Sequence, residues 1–231
     1  MTTVRLMTYN IRSLRDDGDA VAKVIRAARP DVVCIQEAPR FLRWRTIQAG
    51  LARRSGMVVV GGGRPAGSNL ILSTLAVTVE AQVNVLLTKD PRLHQRGAAL
   101  AVLRLRSARF AVAGTHLDLE EEARVRHVGE LHAALDRHVP DGVPSVVMAD
   151  VNDEPDTPVW RALAARGRDA HSVAGTGDGF TWSAMDPHKR IDALFVDAGI
   201  EIRSAQALHS PVVAIASDHC PVLVEVDVPE A

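Results

Sequence analysis

The chain is poor in cysteine: Cys34 and Cys220 are the whole complement, and no Cys-x-x-Cys pair or Cys/His group at zinc spacing occurs. That excludes a disulfide-stapled scaffold and a structural zinc site. Both thiols sit in apolar runs and read as packed core residues. Net charge is nearly absent at -1, which argues against a protein that coats nucleic acid non-specifically but leaves room for a local basic groove. No apolar stretch approaches the length of a membrane span, and no apolar signal core follows Met1. The expectation is a soluble, cytoplasmic protein. There is no internal repeat and no low-complexity segment. No Gly-x-Ser-x-Gly elbow appears, which removes the serine-hydrolase class. The glycine-rich residues 61–67 precede no Gly-Lys-Ser/Thr, so they form no phosphate loop.

What is present is an ordinary globular composition, 47% hydrophobic and 24% charged, long enough to bury a full core as a single domain over residues 1–231. Its organising stretch is residues 144–152. Val146, Val147 and Met148 read as a strand buried on both faces. The run then ends in Asp150-Val151-Asn152. Side chains alternate faces along a strand, so Asp150 and Asn152 share one side. A carboxylate and an amide at the mouth of a buried strand suit the holding of a metal-bound anion. The plainer alternative is a strand turning into a polar loop.

The same placement recurs. A first strand over residues 4–11 closes with Asn10. A helix over 19–29, with Asp19 as N-cap and Pro30 as its stop, leads to a second buried strand ending in Gln36-Glu37. Strand, helix and strand suggest a parallel unit that brings Asn10 and Glu37 together. Residues 41–55 read as a basic helix containing Trp44, either tracking phosphates or simply solvated. Residues 61–67 read as a mobile loop, and short strands between about 57 and 115 are antiparallel in style. Arg96, in a charged loop over 89–96, reads as solvent-facing and stays outside the catalytic set. His116 ends a further strand, a helix covers 120–139, Asp192 lies near the start of a strand over 188–196, and Ser217-Asp218-His219 precedes the last strand. Residues beyond 226 read as an exposed tail.

Taken in order, Thr8-Tyr9-Asn10-Ile11, Gln36-Glu37, Thr115-His116-Leu117-Asp118, Asp150-Val151-Asn152, Arg190-Ile191-Asp192 and Ser217-Asp218-His219 closely resemble the motifs of the endonuclease/exonuclease/phosphatase superfamily, across nearly the whole chain. Ala149 and Val151 stand where that family commonly has Gly and Phe, and neither position carries a functional side chain. The resemblance implies an α/β (α+β) four-layer sandwich of two mixed, mostly antiparallel sheets flanked by helices, DNase I-like, with the site at one end of the sheets.

It also implies a phosphoesterase dependent on Mg²⁺ or Mn²⁺. Phosphate esters repel nucleophiles, and a hard cation with oxygen ligands neutralises that charge. By resemblance Asn10, Glu37 and Asp218 hold the metal. His219 polarises the phosphate or acts as acid/base, and Asp192 fixes its imidazole. Asp150 and Asn152 position the attacking water and bind the phosphoryl group, and His116 donates to a phosphate oxygen or the leaving group. The family's apurinic branch places a tyrosine near His116, and the only tyrosine here is Tyr9, so abasic-site cleavage is disfavoured. Nucleic acid, lipid head groups and sugar phosphates all remain open as substrates. A nuclease of this fold is the first alternative and a non-enzymatic binding module the second.

Overall fold

Burial of the central strands on both faces decides the architecture. The computed structural model describes residues 1–230. In chain order the elements are β1 (Thr2–Asn10), α1 (Gly18–Ala28), β2 (Val32–Gln36), α2 (Trp44–Ser55), β3 (Val58–Gly63), β4 (Asn69–Ser73), β5 (Val77–Leu86), β6 (Gly97–Leu105) and β7 (Ala108–His116). They continue with α3 (Glu121–His138), β8 (Ser145–Asp150), α4 (Pro158–Ala164), β9 (Arg168–Asp169), α5 (Ala170–Ala174), β10 (Asp192–Val196), β11 (Glu201–Ala207), α6 (Pro211–Ala216) and β12 (Val222–Val228).

The strands form two six-stranded sheets, ordered β11-β12-β1-β2-β4-β3 and β5-β6-β7-β8-β10-β9. Each is mixed: β1 runs parallel to β2, and β7 parallel to β8, while the other pairings are antiparallel. Val4, Leu6, Val32, Cys34 and Ile71 of the first sheet meet Phe110, Val112, Val146, Met148 and Leu194 of the second in the central core. On the outer face of the first sheet, Met7, Tyr9, Val33 and Ile35 pack under α1, α2 and α6. Ala113, Val147, Ala149 and Phe195 pack under α3 and α4. The order helix, sheet, sheet, helix is the expected four-layer sandwich, and burial on both faces is why the central strands lack polar alternation.

The sheets approach closely where β7 crosses β2: a Cβ on Gly114 would lie 3.0 Å from the Cys34 side chain. Both cysteines are free and buried, and burial pushes the Cys220 thiol up to about 12.

Several boundaries differ from the sequence reading. Asp17, not Asp19, caps α1, accepting from the N–H groups of Asp19 and Ala20. The second helix starts at Trp44, after Arg43 in a left-handed conformation at φ 59°. Residues 61–67 are not a mobile loop. Gly61 to Gly63 finish β3, a short 3-10 turn follows, and Gly67, at φ +64°, sits where a Cβ would lie 2.5 Å from the Gly97 nitrogen. Only glycine fits there. The last strand runs to Val228, whose backbone pairs with Thr2, so residues 227 and 228 are not tail. Among the described residues no helix is long and apolar enough to cross a membrane.

Candidate active site

Strand parity gathers the polar residues. Asn10 shares the inward face with Leu6 and Val4, His116 with Val112, Asp150 with Met148 and Val146, and Asp192 with Leu194. Register then sets them in rows. Asp150 lies directly across from Asp192 on β10 and from His116 on β7. On the opposing sheet Asn10 lies across from Gln36. Both parallel pairs, β1 with β2 and β7 with β8, have their carboxyl ends here, so the two rows face each other at one end of the sandwich.

Two residues just beyond the strands are bent inward by left-handed backbone: Glu37 at φ 52° and Asn152 at φ 53°. Such conformations cost free energy in a non-glycine residue and concentrate at functional sites. The expectation that Asn152 follows Asp150 along a strand is therefore met by a different route, since β8 ends at Asp150.

Asp150 Oδ2 is the hub. It accepts from Asn10 Nδ2 at 2.8 Å, and lies 3.3 Å from His116 Nε2 and 3.9 Å from His219 Nε2. Asn10 Nδ2 also donates to Glu37 Oε1 at 3.3 Å, while Asn10 Oδ1 accepts from the Arg12 N–H. Asn152 Nδ2 donates to the Leu117 carbonyl at 3.0 Å and lies 2.8 Å from His116 Nε2. The carbonyl fixes that amide's orientation, so His116 Nε2 accepts and the ring is neutral. Burial agrees, holding His116 down to about 3 against the pull of Asp150.

His219 is the opposite case. Its Nδ1 lies 2.9 Å from Asp192 Oδ2. Burial alone would lower its pKa, but Asp192 and then Asp150 outweigh it and carry the imidazole up to about 10. Thr181 Oγ1 accepts the Ile191 and Asp192 N–H groups and fixes the start of β10. The Ser217 hydroxyl donates to the Asn10 carbonyl at 2.8 Å. Thr181 does not stand out in sequence, because an isolated hydroxyl carries no pattern.

The site opens into a cleft of about 420 Å³ lined by Asn10, Glu37, Arg96, His116, Asp150, Asn152 and His219, among others. Arg96 is a correction. It is 9% exposed rather than solvent-facing, and its Nε lies 3.9 Å from the buried Asp118 carboxylate. Burial lowers its pKa while Asp118, Asp150 and Glu37 raise it.

Asp218, the third predicted metal ligand, has its carboxylate paired with an arginine. Its Oδ2 pairs with Arg12 Nε at 3.3 Å and its Oδ1 lies 3.4 Å from Ser217 Oγ. A second grouping, Asp150, Asp192 and His219, brings three donor atoms within 4.8 Å of one another. There the imidazole Nδ1 already has its partner in Asp192, which suits an orienting pair better than a ligand set. The Glu37 and Asp150 carboxylates, both accepting from the Asn10 amide, are hard oxygen donors, and that donor set fits Mg²⁺ or Mn²⁺.

Residues 7–219 match the family model described as Endonuclease/Exonuclease/phosphatase family. The fold is similar to that of an endonuclease/exonuclease/phosphatase from Bacteroides vulgatus, with a TM-score of 0.84 at 21% identity over 99% of this chain and 100% of that one. It is similar also to a mannosyl-6-phosphatase from Bacteroides thetaiotaomicron (TM-score 0.81, 16% identity, 96% and 99% covered). The human Nocturnin catalytic domain with bound sulfate gives a TM-score of 0.78 at 20% identity, covering 98% and 95%. No curated protein matches the chain.

Proposed function

The chain belongs to the endonuclease/exonuclease/phosphatase family, and from that membership and the facing rows of polar residues we propose that it is a divalent-metal-dependent phosphoesterase. It hydrolyses a phosphodiester or phosphomonoester by in-line attack of an activated water. The observation that carries this reading is the convergence of Asn10, His116 and His219 on one carboxylate oxygen of Asp150.

Asn10 and Glu37 would hold Mg²⁺ or Mn²⁺, with Asp218 joining them on release from Arg12. When bound, the cation neutralises phosphate charge and favours ionisation of the leaving group. The remaining roles belong to the chain. Asp150, a buried acceptor with Asn152 beside it, orients the attacking water and takes its proton. His219 keeps its own proton at neutral pH and therefore donates to a phosphoryl oxygen, held in aim by Asp192. His116, neutral with Asn152 donating to Nε2, positions the Asn152 amide beside Asp150. Arg96 supplies a fixed, buried positive charge for a substrate phosphate.

The direct test is hydrolysis of bis(4-nitrophenyl) phosphate and 4-nitrophenyl phosphate with Mg²⁺ or Mn²⁺ present. Turnover above the metal-only blank is expected for at least one of them. Silence on both, and on a wider panel of nucleotide and sugar phosphoesters, would end the proposal. Arg96→Gln should raise KM about ten- to a hundredfold, the worth of one charge-assisted hydrogen bond, with kcat reduced less. An unchanged KM would remove Arg96 from the phosphate seat.

A further inference from the structure

The lip of the cleft is built unlike the rest of the surface. Phe41 is 76% exposed, Leu42 is 88% exposed, and across the mouth Leu119 is 65% exposed. Phe41, Leu119 and Arg40 all line the cleft. Arg15, Arg40, Arg43 and Arg45 surround them. Nearby Arg12 pairs with Asp16 and Asp218, and Arg54 with Asp19. By contrast, those four arginines make no ion pair among the described residues. Arg40 and Arg45 instead rest over the rings of Phe41 and Trp44, at 5.4 and 4.2 Å from the centroids.

We propose that residues 40–45 form an interfacial anchor that seats the cleft mouth on an anionic phospholipid surface. Consecutive exposed Phe and Leu at a loop tip present apolar area with no protein to cover it. Unpaired arginines around that tip supply the complement to headgroup phosphates, and the pairing of the two is how a loop or helix lies in the interface. With a chain charge of only -1, attraction is a local property of this lip. A single nucleic-acid strand is less well matched, because Phe41 offers a π-face for a base but Leu42 and Leu119, the other exposed apolar side chains of the lip, do not. Membrane seating does not depend on turnover, so its failure would leave the hydrolytic reading untouched.

The test is flotation of the full chain with vesicles of phosphatidylcholine, with and without phosphatidylglycerol. Binding is expected only to the vesicles containing phosphatidylglycerol and is expected to weaken as salt rises. Leu42→Ser should cut it about tenfold, the transfer value of one buried leucine, and Arg45→Gln several-fold. Both substitutions lie outside the cleft lining, so hydrolysis of a soluble chromogenic ester and the thermal midpoint should stay at the wild-type level. Absence of binding to anionic vesicles overturns the proposal, as does wild-type binding by Leu42→Ser. Retention of a single-stranded oligonucleotide with indifference to vesicles overturns it in favour of a nucleic-acid lip.

Discussion

Asp150→Asn is expected to lower kcat by about a thousandfold or more, the scale of losing a positioned base or a preorganised charge in a closed site. The amide has nearly the same volume and keeps the acceptor for Asn10, giving up the one that Asp150 Oδ1 offers the Asn152 N–H, so the shape is kept while the proton acceptor is lost. Folding should survive as well. Asp150 and Asp192 face each other across neighbouring strands with His219 between them, so neutralising Asp150 removes a repulsion that offsets the lost attraction for the His219 proton. The thermal midpoint of the metal-free protein is therefore expected to hold. A collapsed midpoint would make Asp150 a structural residue, and undiminished turnover would remove it from the reaction.

Asp192→Asn should have the next largest effect, about a hundred- to ten-thousandfold in kcat at neutral pH. It acts through His219. In the native site burial lowers the His219 pKa, Asp192 and Asp150 override it, and the result is about 10. With the carboxylate gone, burial is opposed only by Asp150 and, more weakly, Asp218, and His219 is expected to lose its proton near or below neutral pH.

The linkage signs can be read from the same groups. In the metal-free protein, the folded state binds the His219 proton more tightly than the unfolded chain. That contribution to stability is complete below about pH 6.5 and fades as pH rises through about 10. His116 runs the other way. Its folded pKa is near 3, so its contribution is present above about pH 6.5 and is lost as pH falls towards 3. Two-dimensional NMR of the imidazole nitrogens in EDTA should show His219 protonated and His116 neutral at pH 7. The His219 titration should move down in Asp192→Asn while that of His116 moves little. A His219 already neutral at pH 7 in the wild-type protein would contradict the donor role.

Much of this arrangement was legible because strand parity is a strict rule. Asn10, His116 and Asp150 each close a run of buried residues and Asp192 opens one, so alternation places each on the same face as its strand's core residues. The strand–helix–strand order of β1, α1 and β2 forces Asn10 and Glu37 to one end. Arg96 was not legible, since it precedes β6 in a loop with no periodicity, and its burial comes from Asp118 and the tight approach of residues 66 and 67 to Gly97. The glycines at 61–67 suggested freedom, whereas they are required for contact: a Cβ on Gly63 would lie 2.6 Å from the Trp44 ring. The start of α2 is not marked in the sequence, because residues 41–43 are as basic and apolar as the helix itself. The end of β12 was missed because its last pairing partner, Thr2, lies at the far end of the chain. Asp218 stands between the two cases: it lies beside Ser217, which holds the Asn10 carbonyl, yet its carboxylate is turned to Arg12.

The most direct test of a cation seat at Asn10 and Glu37 is Mn²⁺ titration of the EDTA-stripped protein followed by electron paramagnetic resonance. Saturable loss of the free-ion signal is predicted for the wild-type chain and for Asp192→Asn, with the loss much weakened in Glu37→Gln. Full binding by Glu37→Gln, or no binding by the wild-type chain, would contradict the account.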